Sequence, residues 1–126
     1  MSKTSLQYQL SKQGGPFTKV SVPHPTPGPD EICIRTRAVA LNPVDWKNRA
    51  FGVTVQSWPT VLGNDAAGVI DSVGESIKDF KPGDEVFSPC GMGNRGGAFQ
   101  EIITVPSHVV AQKPASLSFE EAASLP

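Results

Sequence analysis

Glycine and proline interrupt this sequence so often that long regular elements cannot form. Twelve glycines and twelve prolines stand among 126 residues, and neither residue type is well tolerated inside a helix. Short segments bounded by these residues are typical of β-strands joined by turns. The spacing therefore predicts a mainly β chain, a small barrel or sandwich, with only short helices.

The clearest strand pattern lies in residues 31–42, EICIRTRAVALN. Its residues alternate between two faces, which is the period of a β-strand. One face carries Ile32, Ile34, Thr36, Ala38 and Ala40, and the other carries Arg35 and Arg37. Further strands are predicted in residues 5–10, 17–22, 66–74, 85–90, 98–105 and 108–114.

Two short helical segments are also predicted. Residues 43–52, PVDWKNRAFG, indicate a single helical turn, with Pro43 suited to its first position. Ser118 and Glu121 have the spacing of a capping box, which predicts a helix that begins at Phe119.

The charge balance excludes some classes of partner. The chain has 11 basic and 12 acidic residues, a net charge of −1, and no long run of either sign. Such a surface gives no electrostatic basis for binding nucleic acid or an anionic membrane. No apolar run reaches the roughly 18 residues of a membrane-spanning helix, and the polar residues 1–15 lack a signal core. We therefore expect a cytoplasmic location.

Four residues are potential zinc ligands: Cys33, Cys90, His24 and His108. They fall in four separate segments and lack the close spacing of a zinc motif. The spacing predicts no metal site. It favours two free thiols, while a single disulfide between the cysteines stays open.

Residues 91–96, GMGNRG, match the dinucleotide-binding pattern G-x-G-x-x-G. That motif has to open a helix, whose N-terminus then holds the pyrophosphate. Here the strand-like sequence AFQEIITV follows Gly97 instead. We therefore predict a loop between strands and no nucleotide site at this motif.

Two polar clusters carry the groups that chemistry requires. One is the sequence NPVDWKNR, residues 42–49, and the other is Gly63-Asn64-Asp65, which breaks an apolar run. An ordinary turn accounts for either cluster. A reaction site would instead use their amide, carboxylate, ammonium and aromatic groups to position a substrate and donate a proton. The residues alone leave both interpretations open.

Five motifs occur in order along the chain. They are NPVDWK (42–47), PTVLGNDAAGVIDSVG (59–74), PGDEV (82–86), GGAFQE (96–101) and PASLSFEEAA (114–123). Together they resemble the N-terminal half of the medium-chain dehydrogenase/reductase superfamily, its alcohol-dehydrogenase-like, GroES-like β-barrel. The resemblance implies a mainly β, partly open barrel with short helices over residues 1–117. Residues 118–126 would begin the helix that leads to a Rossmann domain, which is absent from this chain.

The departures from the family pattern concern zinc. Zinc-dependent members carry Cys at the position of Asn42, His-Glu at Asn64-Asp65, and a four-cysteine lobe where this chain has the loop GMGNRGG. The resemblance therefore points to the zinc-free quinone oxidoreductases and enoyl reductases, and especially to fungal trans-acting enoyl reductases of polyketide synthesis. Such enzymes transfer hydride from NADPH to a carbon–carbon double bond conjugated with a carbonyl group. The implied partners are an enoyl or quinone-like substrate and a polyketide-synthase-type carrier.

The resemblance also implies residue roles on the substrate side. Lys47 would be the catalytic residue, an ammonium group near the substrate carbonyl. Trp46 and Phe51 would line the substrate pocket.

On the cofactor side, Asn42, Pro43 and Asp45 would lie beside the nicotinamide. Asp45 would orient Lys47 or a backbone amide. The floor of the cleft would be formed by Gly63, Asn64, Asp65 and Gly68. Asp65 itself would bond to backbone or to a nearby arginine.

The family binds its cofactor mainly through the Rossmann domain. We therefore expect the 126-residue chain alone to have no useful NADPH affinity and no turnover. The alternative is a stand-alone GroES-like binding or interaction module without enzymatic activity.

Overall fold

The computed structural model describes residues 3–91 and 93–126. Its strands are β1 Thr4–Leu10, β2 Phe17–Pro23, β3 Glu31–Ala40, β4 Asp65–Val73, β5 Glu85–Pro89, β6 Ile102–Pro106 and β7 Ala111–Gln112. Its α-helices are α1 Pro43–Phe51 and α2 Phe119–Ala123, and a 3-10 turn covers Ser107–Val109. β1 and β2 form one sheet, and the other strands form a second sheet in the order β6-β3-β4-β5-β7. The predicted mainly β fold with short helices is confirmed.

The core lies against the inner face of the five-stranded sheet. Its buried members include Ile32, Ile34, Ile70, Val86 and Ile103. The neighbours of Ile70 and Val86 in sequence are more exposed, as a strand period requires, whereas β6 is buried on both faces from Ile102 to Val105. Cys33 breaks the alternation, because it is fully buried on the opposite face of β3. Its thiol lies 3.8 Å from the carbonyl oxygen of Pro25, so the proline-rich connection covers that face.

Helix α1 is longer than the single turn that the sequence predicted. It runs for nine residues, with Pro43 in its first turn as expected. Its last turn is tied to the loop between β1 and β2: Arg49 Nε donates to the Gly15 carbonyl at 2.9 Å, and Gln13 Nε2 donates to the Ala50 carbonyl at 3.0 Å. These long-range bonds extend the helix beyond what its local sequence indicated.

Strand β6 is shorter than predicted, because residues 98–101 bond to other parts of the chain. The N–H of Tyr8 donates to the carbonyl of Phe99 at 3.0 Å, and the N–H of Thr36 donates to that of Glu101 at 2.9 Å. The segment therefore crosses between the two sheets, and regular pairing with β3 begins only at Ile102.

Helix α2 confirms the predicted capping box. Ser118 Oγ accepts from the N–H of Glu121, and Glu121 Oε1 accepts from the N–H of Ser118, both at 3.0 Å. Ala122 and Ala123 are buried against Ala67 of β4, so the helix packs on the sheet. Over the described residues, no helix combines the length and apolar character needed to cross a membrane.

Asp71 of β4 joins the proline-rich connection to the sheet. His24 Nε2 lies 2.7 Å from Asp71 Oδ2, and Arg35 donates to Asp71 Oδ1 at 3.1 Å. Partial burial favours the neutral carboxyl, but the bonds from His24 and Arg35 outweigh it and lower the pKa of Asp71. The carboxylate therefore stabilises the fold above about pH 4, and this contribution is lost as the pH falls through the lower, folded pKa.

We expect Asp71→Asn to lower the free energy of unfolding at neutral pH. The deficit relative to wild type should shrink as the pH falls to about 3, where an unfolded aspartate is protonated and the wild-type carboxylate begins to protonate. Urea unfolding of both proteins across this range measures the effect. A difference in the free energy of unfolding between the two proteins that does not change with pH would contradict the stabilising role of the Asp71 carboxylate.

Candidate functional site

The first candidate cluster lies where β3 ends and α1 begins. The N–H of Asn42 donates to Asp45 Oδ2 at 2.8 Å, and the N–H of Asp45 donates to the Asn42 carbonyl at 2.9 Å. Asp45 thus binds a backbone amide, one of the two alternatives expected for it. Asp45 is only 8% exposed, and its Oδ1 is buried with no hydrogen-bond partner among the described residues.

A side-chain hydrogen bond joins the two polar clusters. Asn42 Nδ2 donates to Asp65 Oδ2 at 2.7 Å, although the two residues are 23 positions apart. The expectation that Asp65 bonds to backbone or to an arginine was therefore wrong. Ala40 and Asp65 are directly paired across the sheet. Because Asn42 follows Ala40 by only two residues, this pairing brings its side-chain amide next to the carboxylate of Asp65.

Close packing accounts for two glycines beside Asp65. Gly63 has a φ of +105°, and a Cβ there would lie 2.7 Å from the Cβ of Ala98. A Cβ at Gly68 would lie 2.1 Å from the carbonyl oxygen of Arg35. Gly68 is paired with Thr36, next to the register shift between Thr36 and Ala38. Both positions admit only glycine without a backbone shift. The half-buried Asn64 accepts the N–H of Cys90 through its backbone carbonyl.

The exposed side of α1 carries the three residues expected to face the substrate. Trp46 is 58% exposed and Phe51 63% exposed, and their rings form an edge-to-face pair with centroids 6.4 Å apart. Lys47 is exposed, and its Nζ lies 5.7 Å from the centroid of the Trp46 ring. An ammonium group and two flat apolar surfaces are thus available together to a ligand.

A second feature, an apolar groove of about 800 Å³, was not predicted from the sequence. It begins at Leu41, which is 79% exposed and directly precedes Asn42. Its other apolar walls come from both sheets and the crossing segment: Leu6, Tyr8, Phe17, Val39 and Phe99. The available signal was the alternation of Leu6 and Tyr8 with glutamines in β1, which puts apolar side chains on one face.

Cys90 lies at the end of β5, near the same site. Burial, and then the negative charge of Asp65, raise the pKa of its thiol to about 12. Because the thiolate is the reactive form, we expect Cys90 to resist thiol reagents at neutral pH. In a Cys33→Ser variant, which leaves Cys90 alone, a thiol-specific dye should label the protein only after unfolding. Rapid labelling of the native variant would contradict this prediction.

The loop between β5 and β6 does not open a helix. Residues 93–97 form turns, and the N–H of Gly97 donates to the Gly93 carbonyl at 2.9 Å. Met92 of the glycine motif lies outside the described residues, as do Met1 and Ser2. The predicted loop is confirmed for the described part of the motif, which has no helix N-terminus for a pyrophosphate.

The potential metal ligands stay apart. In the ranges 3–91 and 93–126, no group of three or more His, Cys, Asp or Glu side chains could hold a metal ion. Cys33 and Cys90 are free thiols, which confirms the favoured of the two alternatives.

The fold and the site agree with a known protein family. Residues 28–115 match the family model of the alcohol dehydrogenase GroES-like domain. The chain belongs to this family. The resemblance inferred from the five motifs is thereby confirmed, and the two antiparallel sheets are those of a GroES-like domain.

Curated relatives of this GroES-like domain include reductases and zinc-type proteins. The trans-enoyl reductase tndF of Aspergillus flavipes is 39% identical over 124 residues, which cover 93% of this chain and 36% of the relative. A zinc-type alcohol dehydrogenase-like protein of Staphylococcus epidermidis is 36% identical over 119 residues, 94% of this chain and 34% of the relative. The chain spans about a third of the length of these relatives.

Solved structures contain the same domain within longer chains. A quinone oxidoreductase of Pseudomonas syringae superposes with a TM-score of 0.84 at 31% identity, covering 96% of this chain and 37% of that one. The Escherichia coli quinone oxidoreductase complexed with NADPH superposes with a TM-score of 0.81 at 27% identity, covering 98% and 37%. The matching domain thus occurs in proteins named as quinone oxidoreductases, of which this chain covers 37%.

Proposed function

We propose that this GroES-like domain forms the substrate side of an NADPH-dependent, zinc-independent reductase. Its reaction is the reduction of a carbon–carbon double bond conjugated with a carbonyl group. The hydrogen bond between Asn42 and Asp65 carries the proposal, because it unites two polar clusters into one site next to the exposed Lys47. The names of the trans-enoyl reductase and quinone oxidoreductase relatives support this reaction class.

The residues at the N-terminus of α1 fit a nicotinamide. NADPH, when bound, supplies the hydride. The buried Oδ1 of Asp45 lacks a partner, and an orphaned acceptor of this kind suits an N–H or O–H donor of a bound group. Asn42, Pro43 and Asp45 are therefore the residues that would hold this end of the cofactor.

Lys47 has the chemistry of the catalytic residue. Reduction of a conjugated double bond places negative charge on the carbonyl oxygen of the substrate. A nearby ammonium group stabilises that charge and provides a proton. Trp46 and Phe51 would give the substrate a flat apolar wall, because aromatic side chains bury large areas with little loss of side-chain entropy.

The proposal extends to the form of the substrate. The trans-enoyl reductase relatives support an enoyl thioester on a polyketide-synthase-type carrier. The groove of about 800 Å³ is open and mostly apolar in its lining, which suits the acyl chain of such a substrate.

The donor set at the site favours zinc-free catalysis. Asn42 and Asn64 offer neutral amides, whereas zinc prefers thiolate, imidazole and carboxylate ligands. The carboxylates and the Cys90 thiol nearby do not assemble into a group of three or more ligands among the described residues. We expect elemental analysis of the purified, dialysed chain to find no stoichiometric zinc. One tightly held zinc ion per chain would contradict this expectation.

The function is testable in a chimera in which residues 1–126 are joined to the remainder of the trans-enoyl reductase tndF. Oxidation of NADPH is followed with an enoyl thioester and with a quinone. We expect turnover of at least one of these two substrates.

The rival function is a binding module without enzymatic activity. The apolar groove is the one observation that favours it. This function predicts a folded chimera that binds apolar ligands and oxidises NADPH only at the background rate.

A further inference from the structure

Lys113, which directly follows β7, carries an ammonium group that is shielded from solvent. Its side chain is only 5% exposed, and a buried charge is costly unless it is paired and hydrogen-bonded. Nζ lies 3.1 Å from Glu85 Oε1 and donates to the backbone carbonyl of Leu117 at 2.6 Å. It also lies 5.1 Å from the centroid of the Phe119 ring, within the range of a cation–π contact. The charge is therefore compensated by three partners.

These partners belong to three segments that meet at Lys113. Glu85 is the first residue of β5, and Phe119 is the first residue of α2. Leu117 lies in the turn between β7 and α2, where its N–H donates to the Pro114 carbonyl at 3.1 Å. The backbone N–H of Lys113 also donates to the Glu85 carbonyl at 2.8 Å. One side chain thus joins the edge of the sheet to the start of the helix.

The other contacts of α2 with the sheet are made by small side chains. The helix has five residues, which is too short for stability in isolation. Its buried residues are Ala122 and Ala123, which lie against Ala67 of β4. Alanine side chains bury little apolar area, and the stabilisation scales with that area. The contacts of Lys113 are therefore a substantial part of what holds α2 on the sheet.

We propose that Lys113 is a positioning residue that latches α2 to the edge of the sheet and, through α2, sets the orientation of the domain that brings the cofactor. The second part of this inference rests on the proposed function. In the chimera, α2 lies next to the junction, so a displaced helix moves the joined domain relative to Asn42 and Asp45. The nicotinamide would then no longer meet these two residues.

Hydrogen exchange followed by NMR tests the latch in the 126-residue chain without any ligand. Lys113→Met nearly keeps the length of the side chain and removes its charge. The amide of Ala122 bonds to the Ser118 carbonyl at 3.0 Å within α2. We expect this amide to exchange at least about tenfold faster in the variant, because α2 opens locally while the rest of the fold stays closed. The amide of Ile34 in the core strand β3 should exchange at the wild-type rate.

A control variant shows whether the effect belongs to Lys113. Lys81→Met removes an exposed lysine that pairs with Asp84 at 2.7 Å, and it should leave the exchange of Ala122 unchanged. In Lys113→Met, wild-type exchange of Ala122, or faster exchange of Ile34 to the same extent, would overturn the latch.

A milder variant decides the question even if Lys113→Met fails to fold. Glu85→Gln removes the charge of one partner at a side chain that is 51% exposed, so the core is not disturbed. We expect faster exchange of Ala122 in this variant, by a smaller factor than in Lys113→Met. Wild-type exchange of Ala122 in Glu85→Gln would overturn the latch.

Steady-state kinetics of the chimera test the second part. Lys113→Met should raise KM for NADPH at least about fivefold with a smaller change in kcat, since a misplaced nicotinamide loses its contacts with this domain. Partial unfolding would instead lower kcat at unchanged KM. An unchanged KM for NADPH would overturn the positioning role of Lys113. A wild-type chimera without turnover would refute the proposed function, and hydrogen exchange would then decide the latch alone.

Discussion

Lys47→Ala in the chimera is expected to lower kcat/KM for an enoyl substrate at least about tenfold, a loss near 1.4 kcal/mol of transition-state stabilisation. The ammonium group is exposed, lies beside the aromatic pair of α1, and matches the charge that develops on the substrate carbonyl oxygen. Steady-state kinetics with wild-type and variant chimeras measure the effect.

Two further variants show whether the effect belongs to this site. Lys47→Arg keeps the positive charge and should retain part of the activity. Lys78→Ala removes another exposed lysine, from the segment after β4, and should have no effect. Unchanged kcat/KM in Lys47→Ala would remove Lys47 from the reaction.

Gly68→Ala is expected to destabilise the chain by about 3 kcal/mol, at the upper end of typical overpacking costs. The new methyl group would lie 2.1 Å from the Arg35 carbonyl oxygen, so two central strands would have to separate. The melting temperature should fall by about 10 °C for a domain of this size.

Gly91→Ala is the matched control for this substitution. A Cβ at Gly91 meets no atom within 4 Å in the part of the chain that the structure describes, so the same chemical change should leave the melting temperature nearly unaltered. Equal melting temperatures for Gly68→Ala and wild type would show that the close contact in β4 is not as the structure describes it.

Local patterns in the sequence predicted much of the fold. Alternation in residues 31–42 gave β3, and the Ser118 and Glu121 spacing gave α2, because both signals depend on neighbours within a few positions. The length of α1 was underestimated, since its last turn is held by Arg49 and by Gln13 of a distant loop. No pattern inside residues 43–52 contains that information.

The candidate site was only partly predictable. The two polar clusters were found from composition and motif resemblance, but the bond between Asn42 and Asp65 depends on the register of β3 and β4. The groove depends on the approach of the two sheets, which places Tyr8 and Val39 on one surface. Contacts between segments far apart in the sequence follow from packing, which a local pattern does not determine.

Titration with NADPH, followed by its fluorescence, tests the central claim most directly. The claim is that this domain supplies the substrate side of a reductase and needs a partner domain to bind the cofactor. We expect the chimera to bind NADPH and to consume it when an enoyl thioester or a quinone is added, and we expect the 126-residue chain alone to do neither. Tight NADPH binding by the isolated chain, or a folded chimera that binds NADPH but consumes it only at the background rate, would contradict the claim.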